Sequence, residues 1–260
     1  MIVFAAIMPH PPESVPGIGK KGNSRTIKKT LQAFDQLRTG LEKADPDVVV
    51  IISPHAHLEQ YFFVINYARK LAGDFEQFGI KKSFTFNNDL QIADELFSAC
   101  FIREFPAELR KNPLDYGALI PLYHLLKKIK PKIVHLSFSF MDYDFHYRYG
   151  QILQKIIDEN TEKRVAIIAS GDLSHKLSPK SPVGFSPKAK EFDRLMLRYL
   201  KENNIKGIMD LKNPLVSEVA ECGIRSFMIL FGALHGKEYK IKLLSYESPM
   251  GIGYLTARLI

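Results

Sequence analysis

Three short apolar runs, each closing on a histidine, dominate the hydrophobic pattern of this chain. Ile2-Val3-Phe4-Ala5-Ala6-Ile7-Met8 leads into Pro9-His10. Val48-Val49-Val50-Ile51-Ile52 leads into Ser53-Pro54-His55-Ala56-His57. Val165-Ala166-Ile167-Ile168-Ala169 leads into Ser170-Gly171-Asp172-Leu173-Ser174-His175. Unbroken, β-branched runs bounded by Pro, Gly and Ser predict strands buried on both faces. Ile133 to Phe138 predicts a fourth. Helical periodicity lies between them. Ile27, Leu31, Phe34, Leu37 and Leu41 share one face until Asp45-Pro46 ends the segment, and Tyr149, Ile152, Leu153 and Ile156 repeat the spacing. So do Phe192, Leu195, Met196, Tyr199 and Leu200, and Phe227 to Leu234 is an apolar, helix-like stretch. The tail, 241–246 and 253–257, predicts two strands joined by a Pro/Gly loop. This alternation predicts an α/β fold: one domain over 1–260, with a central mostly parallel or mixed sheet flanked by helices. Strands at 2–8, 47–52, 133–138 and 164–169 are expected to be neighbours. Residues 176–188, rich in Pro, Ser and Lys, predict an exposed loop beside the strand ends, with the character of a lid.

Composition changes this picture little. Of 260 residues, 46% are hydrophobic and 25% charged, as in ordinary soluble globular proteins. No apolar run approaches a membrane span. The N-terminal run lacks a basic leader and a cleavage site, so it reads as a core strand rather than a signal peptide. Two cysteines, Cys100 and Cys222, make a disulfide framework unexpected and favour a reducing, cytoplasmic setting. The net charge is +8, but the lysines are dispersed: Lys20, Lys21, Lys28 and Lys29 in one stretch, Lys127, Lys128, Lys130 and Lys132 in another. That dispersion disfavours nucleic acid and fits attraction of an anionic substrate or partner.

The strand ends carry the candidate chemistry. In open α/β sheets, sites form beyond the carboxyl ends of the strands, so His10, His55 and His175 are expected on one edge. Neutral imidazoles are metal ligands. His55 and His57, two residues apart in an extended segment, share a face, so both could line a pocket or one could support the other. His175 suits a general acid/base role with Asp172 setting its tautomer. Two histidines and a carboxylate with open positions would suit Fe(II). Glu221 is the first candidate carboxylate and Glu247 its rival, while Glu13 lies near His10 in a Pro/Gly stretch. Cys222 as a soft ligand would shift the preference to Zn or Cu. His124 in a Leu-rich helical stretch and His135 inside a strand read as structural. His146 is a weaker candidate, and His235 sits where a helix end favours a cation.

Met8-Pro9-His10-Pro11-Pro12, Ser53-Pro54-His55, Leu114-Asp115-Tyr116-Gly117-Ala118-Leu119-Ile120-Pro121-Leu122, Ser170-Gly171-Asp172-Leu173-Ser174-His175 and Glu221-Cys222-Gly223-Ile224-Arg225, in this order, resemble the class III extradiol ring-cleavage dioxygenase superfamily of LigB type and its relatives, the Memo proteins. The resemblance spans essentially the whole chain and is similar in particular to the B-type proteins of the AmmeMemoRadiSam set. It implies a non-haem Fe(II) site held by His10, His55 and Glu221, His175 as acid/base residue, and a catecholic aromatic substrate with dioxygen. It also implies protein partners of that set and allows a homo-oligomer. Ring-cleaving members commonly carry Asp-His-Gly where this chain has Asp115-Tyr116-Gly117, which substitutes a phenol for an imidazole beside the substrate. Memo-type relatives use a cysteine near the Glu221 position, so Cys222 stays open as the third ligand, with Zn or Cu in place of Fe(II). A Memo-type metal protein without ring cleavage, acting as partner or metal carrier, and a zinc hydrolase on the same site are the alternatives.

Overall fold

The computed structural model describes residues 1–18, 26–211 and 213–260. Lys20 and Lys21 of the first lysine group lie outside the described residues. Ten strands form among the described residues: β1 Ile2–Met8, β2 Val48–Ser53, β3 Phe63–Asn66, β4 Lys70–Phe75, β5 Ile80–Asn87, β6 Ala107–Arg110, β7 Lys132–Ser137, β8 Val165–Ser170, β9 Lys242–Glu247 and β10 Tyr254–Arg258. The helices are α1 Lys28–Ala44, α2 Leu90–Ile102, α3 Tyr116–Leu125, α4 Tyr143–Glu159, α5 Ala189–Lys201, α6 Ile205–Met209, α7 Asn213–Val219 and α8 Ile224–Ala233.

The four runs expected to be neighbours form the centre of an eight-stranded sheet of order β6-β3-β7-β2-β8-β1-β10-β9. β7, β2, β8 and β1 are mutually parallel. β3 joins β7 antiparallel, and β10 and β9 close the other edge antiparallel, so the sheet is mixed. In register, Met8 is level with Ser170, Ile52 with Ala169, and Ser53 with Ser137. The segments bearing His10, His55 and His175 therefore leave the sheet on one edge.

Strand alternation divides the core into two layers. Val48, Val50 and Ile52 face one side with Leu96, Tyr149, Leu153 and Phe227. Val49 and Ile51 face the other with Phe34, Leu37, Phe75 and Leu119. Each fully buried side chain of this size contributes roughly 1.5–3 kcal/mol. On the first face α4 and α8 cross at glycines. A Cβ at Gly150 would lie 2.1 Å from the Ile229 carbonyl oxygen, and one at Gly232 would lie 1.9 Å from that of Tyr147. The second face carries α1, α3 and a β4–β5 hairpin that forms its own two-stranded sheet. Residues 176–188 form an irregular loop tied to the β9–β10 turn by Leu177 N–H to Gly251 O, 3.0 Å, and Ser181 Oγ to Gly251 O, 3.1 Å.

Candidate metal centre

His10 follows β1, and the prolines after it stiffen its loop. That loop is pinned at Ser14, whose hydroxyl donates to Pro11 O at 2.7 Å and lies 2.9 Å from His124 Nε2. Ser170, at the end of β8, sets the tautomer of His10. Pro121 within α3 has no N–H to give the Gly117 carbonyl, the acceptor four residues earlier. The Ser170 hydroxyl donates to that carbonyl instead, at 2.6 Å. Its oxygen is then left to accept from His10 Nδ1, 3.0 Å away. Nδ1 thus carries the proton, and the bare Nε2 of His10 faces the site.

There His10 Nε2 meets His55 Nε2 at 3.0 Å, with the rings edge to face. Burial pushes the pKa of both imidazoles down to about 3, each reinforced by a neighbouring imidazole. Two neutral rings with converging nitrogens are poised to share one cation. The third group is Cys222. Its Sγ lies 3.9 Å from His10 Nε2, and the ligand atoms of His10, His55 and Cys222 all fall within 4.8 Å of one another. Burial pushes the thiol well above its ordinary range, so it is protonated until a metal displaces the proton.

Glycine makes this approach possible. A Cβ on Gly171 would sit 2.3 Å from Gly223 Cα, so only two glycines let the β8 loop and the α8 approach touch. The contact places Asp172 N–H on Cys222 Sγ at 3.3 Å, and Cys222 N–H on Asp172 O at 3.3 Å. Glu221, one residue away, is turned to the helix. Its Oε2 accepts from Ile224 N–H at 2.7 Å, a cap on α8, and burial pushes its carboxyl up to about 7. Glu247 accepts from Thr30 N–H at 2.7 Å, and Glu13 accepts from the Tyr254 hydroxyl at 3.1 Å. None of these three carboxylates joins a potential metal-holding group among the described residues.

Asp172 lies between two imidazoles, its Oδ2 3.3 Å from His10 Nε2 and 3.8 Å from His175 Nε2. Burial raises it to about 6, against the opposing pull of His175 and the His10 amide. His175 Nδ1 donates to Leu173 O at 3.1 Å, which leaves Nε2 bare toward Asp172 and Cys222. Tyr116 opens α3; its hydroxyl is 2.9 Å from His55 Nε2 and its ring stacks on that of His55. Burial raises the phenol above its ordinary value, so it stays a donor.

Beneath Tyr116 runs a network that the hydrophobic pattern does not reveal. Asp115 caps α3 at Ala118 N–H, accepts from Ser53 Oγ at 2.5 Å, and meets His135 Nε2 at 3.1 Å. Burial opposes ionisation of Asp115, but the hydrogen bonds from His135, Ser53 and the Ala118 amide outweigh it and hold the carboxyl low. Since His55 N–H donates to Ser53 Oγ, at 3.3 Å, one buried carboxylate orients both His55 and Tyr116. The only sequence signal for it is an aspartate three residues before a helical N–H. His57 points away: it is exposed, 2.6 Å from Glu59, in a surface group with Glu108 that Arg110 already neutralises in part. His124 and His135 are buried structural partners, His146 binds the carbonyls of Ser139 and Asp142, and His235 meets the Tyr147 hydroxyl.

The family model described as the catalytic LigB subunit of aromatic ring-opening dioxygenase matches residues 4–257. Protein CA_C1420 of Clostridium acetobutylicum is 31% identical over 260 residues, covering 95% of this chain and 55% of that protein. This chain thus spans about half the length of that relative. The 2-aminophenol 1,6-dioxygenase beta subunit of a Pseudomonas species is 23% identical over 97% of this chain and 92% of its own. The crystal structure of the uncharacterised protein JW3007 from Escherichia coli K12 superposes with a TM-score of 0.71 at 17% identity, over 99% of this chain and 100% of that one, which shows a shared fold. No described helix is long and apolar enough to cross a membrane. The chain belongs to the family of LigB catalytic subunits of aromatic ring-opening dioxygenases.

Proposed function

We propose that this protein is a metal-dependent ring-opening oxidoreductase, acting on a catecholic aromatic substrate with dioxygen, with 1–260 as one LigB-like unit. The observation that carries this reading is the convergence of His10, His55 and Cys222 on one edge, with the bare Nε2 of His175 beside them. The two neutral imidazoles suit Fe(II), Zn and Cu alike, and the thiol tilts the set toward Zn or Cu. Bound there, Fe(II) would supply the path for electrons between an adjacent diol and dioxygen. His175 Nε2 takes a proton from a substrate hydroxyl, and Asp172, 3.8 Å away, stabilises the imidazolium formed. The Tyr116 hydroxyl lies 2.9 Å from His55 Nε2, and with that nitrogen on a metal its proton would turn to the substrate beside it. The Pro-rich loop and the buried Asp115 hold the two imidazoles in place, so binding requires little reorganisation.

A second reading is favoured by a specific observation: the third group is a thiol where the resemblance implies a carboxylate. A thiolate favours Cu or Zn, and with Tyr116 in place of histidine it supports a Memo-type metal protein serving a partner of the AmmeMemoRadiSam set. Anaerobic purification, metal analysis and oxygen uptake with catechols separate the two. Catechol-dependent uptake by the Fe(II)-loaded protein supports the first. Tight Cu or Zn binding with no uptake in the Fe(II) form supports the second.

A further inference from the structure

A separate cavity of about 370 Å³ opens between the loop after β7, the first turn of α4, the end of α6 and the first turn of α8. It falls at the small end of the ~300–1,000 Å³ range of small-molecule sites. Opposite charges line it without meeting. Arg225 is only partly exposed, its buried Nε has no hydrogen-bond partner, and it forms no ion pair among the described residues. Its guanidinium is instead held among the rings of Tyr143, Phe140 and Phe138, at 5.5, 5.9 and 5.9 Å. Aromatic faces position a guanidinium but leave its N–H donors unused, and the natural partner of that planar fork is a carboxylate.

Three aspartates, Asp142, Asp144 and Asp210, also line the cavity. Asp210 is already neutralised by Lys206, at 2.9 Å. Asp142 and Asp144 form no ion pair among the described residues. Asp142 occupies the N-cap position of α4, where an aspartate ordinarily accepts from the helix N–H groups, yet its side chain makes no capping bond. Both carboxylates are exposed and line the cavity. Apolar side chains complete the lining, Met209 and the half-exposed ring of Phe140 among them.

We propose that this cavity binds a zwitterionic ligand of the amino-acid class, its carboxylate on Arg225, its ammonium against Asp142 and Asp144, and an apolar side chain on Phe140 and Met209. The pairing explains why a guanidinium and two carboxylates face one small space and remain apart. Arg225 stands three residues beyond Cys222, so the ligand would lie on the same edge of the sheet as the metal centre. Binding does not require the metal.

The test is calorimetric titration of the full chain, in the presence of a chelator, with three probes of similar shape: L-phenylalanine, 3-phenylpropionate and 2-phenylethylamine. L-phenylalanine binds best. Arg225→Gln weakens L-phenylalanine and 3-phenylpropionate by roughly tenfold or more and spares the amine. The double change Asp142→Asn, Asp144→Asn weakens L-phenylalanine and the amine and spares 3-phenylpropionate. If Arg225→Gln lowers the melting temperature markedly, Arg225→Lys, which keeps the charge but loses the fork, still weakens the two carboxylates. Absence of L-phenylalanine binding at millimolar concentration, binding indifferent to Arg225, or binding of the amine alone overturns the proposal. Because a chelator is present, failure of the ring-opening reading leaves this result unaffected.

Discussion

Replacing Cys222 by Ser should cost far more metal affinity than replacing Glu221 by Gln. An ion bound about 2.0–2.1 Å from nitrogen and 2.3 Å from sulfur, at tetrahedral angles, needs nitrogens roughly 3.4 Å apart and a nitrogen–sulfur distance of roughly 3.6 Å. The structure has 3.0 Å between His10 Nε2 and His55 Nε2 and 3.9 Å from His10 Nε2 to Cys222 Sγ. Shifts of a few tenths of an ångström bring these two pairs to that geometry, and His55 and Cys222, which lie within 4.8 Å of each other, close by up to about 1.2 Å to complete the set. The Glu221 carboxylate would first have to give up its 2.7 Å bond to the Ile224 amide. Four-ligand zinc sites bind with about 10–16 kcal/mol, so one ligand is worth about 3–4 kcal/mol, or roughly 10²–10³-fold in affinity. Competition of the metal-loaded protein against a chelator measures this directly. Cobalt(II) substitution adds a signature, a thiolate charge-transfer band present in wild type and Glu221→Gln and absent in Cys222→Ser. Metal affinity within about threefold of wild type in Cys222→Ser, or a larger loss in Glu221→Gln, would refute the assignment.

Three further outcomes are expected. His175→Ala should keep its metal and lose roughly 10²–10⁴-fold in turnover, the usual scale of acid/base catalysis; metal analysis beside oxygen uptake checks both, and loss of metal would make His175 a ligand. Tyr116→His should raise any catecholic activity and Tyr116→Phe should lower it, because the buried phenol donates a hydrogen bond but does not shuttle protons near neutral pH; rates indifferent to both changes count against a role for Tyr116. Glu221, raised by burial from 4.5 to about 7, contributes stability that is present below pH 4.5 and lost as pH rises through 7. Glu221→Gln should therefore gain on wild type by up to about 3 kcal/mol between those limits, read as diverging urea midpoints, and a pH-independent difference would contradict it.

Local pattern was enough for the elements that carry the histidines. β1, β2, β7 and β8 are β-branched, unbroken and bounded by turn residues, so the backbone preference and the burial requirement agree within each segment. The same holds for α1, α4 and α5, whose apolar stripes are buried in the core. Residues 63–87 and 107–110 carry no such signal, because β3 and β6 have only four residues each and the β4–β5 hairpin is half-solvated and lies off the main sheet. Strand order, and with it the meeting of His10 and His55, comes from long-range pairing that no window of sequence contains.

The third ligand position shows the division most sharply. Chain order alone establishes that Glu221 and Cys222 stand together before an apolar helix. Which of them faces the histidines depends on a single residue of rotation in the turn after α7, where Ala220 adopts a left-handed φ of 54°, and on the Gly171–Gly223 contact that brings two loops together. Likewise Asp115 and His135 are plain in the sequence, but only the packed sheet sets them 3.1 Å apart beneath His55. Periodicity and turn chemistry act between near neighbours in the chain. Tautomers, ligand sets and unpaired charges are decided by groups that meet only after the core has closed.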